Sequence, residues 1–269
     1  MERLQAALER ARQSRQDGAI ATPNRTPSSD RKRKLTQSAE DLWTALAPFE
    51  VNDKYLAKNR IVTRSARKEA TPFDILRTKT LLLMRQNGWK RLAITSAMPQ
   101  SGKTTIACNL ALGLSRQRDL RSILFDFDLR EPSLRDFFST KPPHGISAML
   151  DGSVTFDQQA VRYGDNVAVS MAAQAEADPT RLLMAEETAE RLDDIQAAYD
   201  PDLMVFDLPS VLVNDDTRAF LKNADCALLI VRADMTSYSQ LETCKQEIEE
   251  HTNLLGVVLN GYRHDKRAR

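Results

Sequence analysis

Lys103 follows Pro99, Gln100, Ser101 and Gly102, precedes Thr104 and Thr105, and sits between the apolar runs LAITS and IACNLALGLS. A loop of this kind between a strand and a helix offers successive backbone N–H groups, and the positive end of the helix, to a phosphate. On this reading residues Pro99, Gln100, Ser101, Gly102, Lys103, Thr104 and Thr105 surround the phosphates of a nucleotide. Lys103 neutralises the β- and γ-oxygens, and the Thr104 hydroxyl ligates Mg²⁺. The first glycine of the usual pattern is Ala97 here, and Pro99 has no N–H to give. The plainer alternative is a strand-to-helix turn with a solvated lysine.

Two further strand ends are acidic. In ILFDFDLR, Asp126 and Asp128 are two residues apart at the end of an apolar run, so an extended chain would direct both to one side. Two such carboxylates repel unless a cation or a proton intervenes. A magnesium ion would relieve the repulsion and leave one of the pair to accept a proton from a hydroxyl. Either Asp126 or Asp128 could be that base, with capping of the turn before Pro132 as the plainer alternative. In LMVFDLP a third apolar run ends on Asp207, which suits a water-mediated contact to the same metal.

The elements that must position these groups follow from the apolar pattern. RLAITS, RSILFDFD, NVAVSM, DLMVFDL, CALLIV and LLGVVLN read as short strands, mostly separated by helical stretches such as TTIACNLALGLSRQ, DPTRLLMAEETAERLDDIQAAY and SYSQLETCKQEIEEH. Strands apolar at nearly every position and alternating with helices predict an α/β fold, a mostly parallel sheet flanked by helices on both faces. A further helix over 72–87 stops at Gly88. Residues 1–70 carry a net charge of +6 and the remainder −5, so the expected division is a helix and basic flexible tether over 1–70 and a nucleotide-binding domain over 71–269. Leu4, Leu8 and Ala11 line a possible first helix, and Leu42, Trp43, Leu46 and Phe49 form an apolar cluster expected to dock the tether.

Charge over the whole chain nearly cancels at +1, which argues against nucleic acid as a partner. The basic run Arg31–Lys34 reads as solvated linker, with an anionic-lipid or nucleic-acid patch as the alternatives. Three cysteines, Cys108, Cys226 and Cys244, lack metal-like spacing and read as reduced, buried thiols of a cytoplasmic protein. His144, His251 and His264 are scattered. No run approaches the length of a spanning helix, so a membrane would be reached only through a partner.

The set AMPQSGKTT, ILFDFDLREPSL and LMVFDLPSVL resembles the three motifs of bacterial tyrosine kinases, the CpsD/CapB-like kinases of capsule and exopolysaccharide systems. PFDILRT, CALLIVRADMTSYSQL and LLGVVLNGY resemble that family's flanking elements over roughly residues 71–262. The resemblance implies a phosphate-loop fold and an ATP- and Mg²⁺-dependent tyrosine (auto)kinase. It implies Lys103, Asp126 and Asp128 as catalytic and Thr104, Asp126 and Asp207 toward the metal. It also places Asn260 where related ATPases often contact adenine. Its implied partners are further copies of the chain and a membrane-spanning polysaccharide co-polymerase, which would hold it at the inner face of the plasma membrane. Met98 occupies the place of the extra lysine in MinD/ParA ATPases, which disfavours a switch ATPase; a nucleotide-sensing adaptor is the third reading. The family's tail of clustered tyrosines is missing, with only Tyr262 near the end. Of its E-x-x-R-x-x-R ring motif, aligned on Thr71, Asp74 and Arg77, only Arg77 remains. Arg130 follows the acidic pair, with a salt bridge to Glu131 as its plainer role.

Overall fold

The computed structural model describes residues 38–262, all within the compact unit Gln37–Arg269. The expected helix at Leu4, Leu8 and Ala11 and the basic run Arg31–Lys34 lie outside the described residues.

Eight strands form one sheet in the order β1-β4-β5-β3-β6-β2-β7-β8. They are β1 (Ala47–Pro48), β2 (Arg91–Ser96), β3 (Ser122–Asp126), β4 (Val161–Tyr163), β5 (Val167–Ser170), β6 (Leu203–Ser210), β7 (Cys226–Arg232) and β8 (Asn253–Asn260). Every pairing is parallel except β4 with β5. The inner strands β3, β5 and β6 are buried at every residue because helices cover both faces, which is why they read as continuous apolar runs.

Helix α3 (Thr71–Asn87) has Pro72 in its first turn, where no N–H is needed, and ends at Gly88 with φ 68°. That left-handed residue returns its N–H to Arg85 and Met84 carbonyls. Helix α4 (Lys103–Leu114) is buried at nearly every position, among them Ile106, Cys108, Leu110 and Leu112, because it lies between α3 and the sheet. A helix apolar all round is a helix surrounded by protein. The long stretch 178–199 breaks into α8 (Pro179–Met184) and α9 (Glu186–Tyr199), since Ala185 is extended at ψ 140°. Three short helices, α5 (Leu134–Phe138), α6 (Ile146–Leu150) and α7 (Phe156–Gln159), precede these, and the last long helix is α11 (Tyr238–Glu249).

Residues 38–70 are part of the domain, which moves the expected boundary at residue 70 toward the N-terminus. Helix α1 (Ala39–Ala45) starts on a capping box between Ser38 and Asp41. Its Trp43 is 1% exposed, donates Nε1–H to the Tyr199 carbonyl at 2.8 Å and meets the Tyr199 ring edge-on. Leu46 is fully buried, β1 pairs with β4, and helix α2 (Asp53–Lys58) inserts Leu56. The change of charge near Thr71 marks a change of surface, whereas the core begins earlier.

Candidate active site

Sheet order brings the three motifs together. Strand β6 lies between β3 and β2, with Asp207 opposite Asp126 on one side and Ile94 on the other. Strand β6 runs on past the expected end at Asp207 to Ser210, so the loop leaving β2, Asp126 at the end of β3 and Asp207 within β6 share the carboxyl half of the sheet, beside the edge where open parallel sheets hold ligands.

After β2 the chain turns sharply back on itself. Ser101 Oγ donates to the Met98 carbonyl at 2.6 Å, as Ser96 Oγ does at 2.9 Å. Gln100 and Gly102 adopt φ of 61° and 91°. Gly102 must be glycine, because a Cβ there would overlap the Asn260 side-chain amide in addition to the left-handed backbone. Lys103 then begins α4, so its backbone and those of Thr104 and Thr105 form the helix's first turn.

Lys103 Nζ donates to Asp128 Oδ2 at 2.6 Å, with the two side chains 15% and 9% exposed. Burial opposes the charge on Lys103, yet Asp207, Asp128 and Asp126 outweigh it and hold its pKa above that of an ordinary lysine. Asp126 is fully buried; burial pushes its pKa well up, Asp207 adds to this, and the Leu134 N–H at 3.2 Å opposes it. Burial likewise raises Asp207 to about 6 against the pull of the Lys103 charge. Three carboxylates thus face one lysine.

Strand β3 ends at Asp126, but the Phe127 N–H still donates to the Asp207 carbonyl at 2.9 Å, and Asp126 and Asp128 both face Lys103. Asp128 Oδ1 accepts the Glu131 N–H at 3.3 Å and its Oδ2 reaches Lys103. Arg130 ignores Glu131. Its guanidinium forks onto Asp216 at 2.6 and 3.1 Å, tying the acidic turn to helix α10 (Asp216–Leu221). Asn260 does not stand free at the end of β8: Nδ2 donates to the Ser101 carbonyl at 2.8 Å and Oδ1 accepts the Gly261 N–H at 2.9 Å. Arg77, the remnant of the ring motif, bonds Asp74 and the Gly113 carbonyl of its own fold, both at 2.9 Å. The sequence reading missed Arg232, whose Nη1 donates to the Gln100 carbonyl at 2.7 Å. Its signal was the neighbouring position of two strand ends, which only the sheet order reveals.

Lys103 and Asp128 border a cavity of about 520 Å³ lined also by Gln100, Gly102, Thr104 and Ser210, among others. A hollow of about 690 Å³ lies around Arg64, Arg118 and Tyr163, but it lacks the lysine and buried carboxylates. The donor set suits a hard cation. Both Asp207 oxygens and Asp126 Oδ1 are buried without a hydrogen-bond partner, and Thr104 lies alongside. Among the described residues no group of three or more His, Cys, Asp or Glu is arranged to hold a metal alone, so phosphate oxygens would have to complete any shell. The three cysteines are buried and form no disulfide. No described helix is long and apolar enough to cross a membrane.

A lysine-bearing loop running from a buried strand into a buried helix, with buried aspartates paired on adjacent strands, defines a phosphate-loop nucleotide-binding protein. The chain belongs to the CobQ/CobB/MinD/ParA nucleotide-binding domain family, whose sequence model matches residues 92–269. It is 28% identical over 233 residues to the tyrosine-protein kinase Etk of Escherichia coli (strain K12), covering 86% of this chain and 30% of that protein. It is also 28% identical over 181 residues to the tyrosine-protein kinase YwqD of Bacillus subtilis (strain 168), covering 66% of this chain and 75% of that one. The solved kinase domain of the E. coli tyrosine kinase Etk superposes with a TM-score of 0.70 at 26% identity, over 89% of this chain and 88% of that domain. The chain thus spans less than a third of the length of the whole Etk protein.

Proposed function

We propose that the protein is an ATP-dependent protein tyrosine kinase that transfers the γ-phosphoryl group to a tyrosine hydroxyl in polysaccharide assembly. The observation behind this reading is the Lys103–Asp128 pair at the mouth of the phosphate loop, backed by the buried Asp126 and Asp207, whose Oδ1 and both oxygens respectively make no hydrogen bond of normal geometry. It joins a phosphate-binding cation to a carboxylate able to take a proton. The tyrosine-protein kinases among the relatives, and the motif resemblance to capsule and exopolysaccharide kinases, support the acceptor and the setting.

Loop N–H groups and the first turn of α4 bind the β-phosphate. Lys103 exchanges Asp128 for β- and γ-oxygens, which frees Asp128 Oδ2 to take a hydrogen bond from the acceptor hydroxyl. Asp128 then accepts the tyrosine proton as the hydroxyl oxygen bonds to the γ-phosphorus and the bond to the ADP oxygen breaks. Thr104, Asp126 and Asp207 are the residues that would hold Mg²⁺. When bound, that ion supplies electrophilic stabilisation of the phosphate oxygens. Arg130 positions the acidic turn through Asp216. A membrane-spanning co-polymerase is the proposed activator, and further copies of the chain the proposed assembly partners.

Incubation with γ-labelled ATP and Mg²⁺, with and without the cytoplasmic segment of such a membrane protein, tests the proposal. Label on tyrosine, lost in Lys103→Met, is the expected result. Phosphate released to water with no labelled protein would replace the kinase with a switch ATPase.

A further inference from the structure

We propose that Arg232 and Asn260 are positioning residues for the phosphate loop, holding its peptide groups so that consecutive N–H donors face the nucleotide. The inference rests on reading residues 97–105 as a nucleotide cradle. Arg232, the last residue of β7, donates to the Gln100 carbonyl at 2.7 Å, and Asn260, the last residue of β8, donates to the Ser101 carbonyl at 2.8 Å. The two strands pair in register at these residues, so the donors stand side by side.

In a planar trans peptide the carbonyl and the following N–H point in opposite directions, and among the described residues no peptide bond is cis. Fixing the carbonyls of Gln100 and Ser101 toward Arg232 and Asn260 therefore turns the N–H groups of Ser101 and Gly102 the other way. Gln100 and Gly102 line the cavity, while Arg232 and Asn260 do not. Neither N–H has a hydrogen-bond partner among the described residues. They are donors without acceptors at a site built for an anion.

The same contacts account for the loop's departures from the usual pattern. Pro99 removes one donor, so the donors at Ser101 and Gly102 matter more. Gln100 sits at φ 61°, a conformation that a non-glycine residue keeps only when its surroundings over-determine it. A guanidinium bond to its carbonyl is such a constraint. Asn260 also fills the space beside Gly102, which fixes both the amide and the glycine. This gives Asn260 a role indifferent to the base, in place of an adenine contact.

Calorimetric titration of the full chain with ATP, GTP and inorganic tripolyphosphate tests the assignment. Arg232→Ala and Asn260→Ala are each expected to weaken all three by the same factor, roughly 2- to 10-fold for one lost hydrogen bond. Arg232→Lys, which keeps a donor, should recover most of the affinity. Should Arg232→Ala fail to fold, Arg232→Lys and Asn260→Ala decide between them, with thermal melting as the check on folding. Unchanged affinities, or a loss in Asn260→Ala confined to ATP, would overturn the positioning role while leaving the cradle intact. Wild-type protein that binds none of the three would overturn the cradle reading, and the positioning role with it.

Discussion

Replacing Lys103 by methionine removes the one cation that faces Asp128, Asp126 and Asp207. The Lys103–Asp128 bond is 2.6 Å long between side chains 15% and 9% exposed, so solvent screens little of it. Deleting one partner of a buried pair leaves the other charge uncompensated, at about 3–5 kcal/mol. Asp128 keeps slight access to water and the Glu131 N–H, which places the expected loss near the low end, about 3 kcal/mol. Asp128→Asn leaves Lys103 facing two other carboxylates and removes only a charge-assisted bond, about 2 kcal/mol. The double variant then loses less than the sum, with a coupling of about 2 kcal/mol. Urea denaturation of the four proteins at neutral pH without nucleotide measures this cycle. A coupling under about 0.5 kcal/mol would refute the claim that the lysine is stored on the base before nucleotide binds.

Other consequences can be checked separately. Trp43→Ala should lower stability by about 4 kcal/mol, read from thermal or urea melts, because a buried indole and its bond to Tyr199 are lost together; a negligible change would show that residues 38–50 do not belong to the domain. Gly102→Ala should cost about 1–2 kcal/mol of stability from the left-handed backbone and weaken nucleotide binding by displacing Asn260, measured by melting and calorimetry. Arg130→Ala should cost about 2 kcal/mol, less than a buried pair because the arginine is 42% exposed, and Arg130→Ala with Asp216→Asn should restore part of it in the same melts.

The central strands were legible because burial on both faces leaves an unbroken apolar run, and the helix at Thr71–Asn87 because Pro72 and Gly88 mark its ends. Strands β1 and β4 were not, since two or three residues hold no period and exist only by pairing with each other and β5. Lys103 and Asp126 could be placed from sequence because each sits at a junction its neighbours define, whereas Asp207 lies inside β6, which continues to Ser210. Asp128 lies just beyond the end of β3, yet it and Asp126 both face Lys103, as their spacing implied. The partners of Arg130, Arg232 and Asn260 lie 86, 132 and 159 residues away along the chain, beyond any local pattern. The boundary at residue 70 followed surface charge, and Trp43 and Leu46 show that the core does not.

The most direct test of the phosphotransfer centre is the fate of the γ-phosphate in Asp128→Asn beside wild type, with ATP affinity measured on the same samples. The account predicts tyrosine labelling lowered at least 100-fold, the scale of a lost general base, with ATP affinity within a few-fold of wild type. Tyrosine labelling at the wild-type rate would contradict it and remove Asp128 from the chemistry.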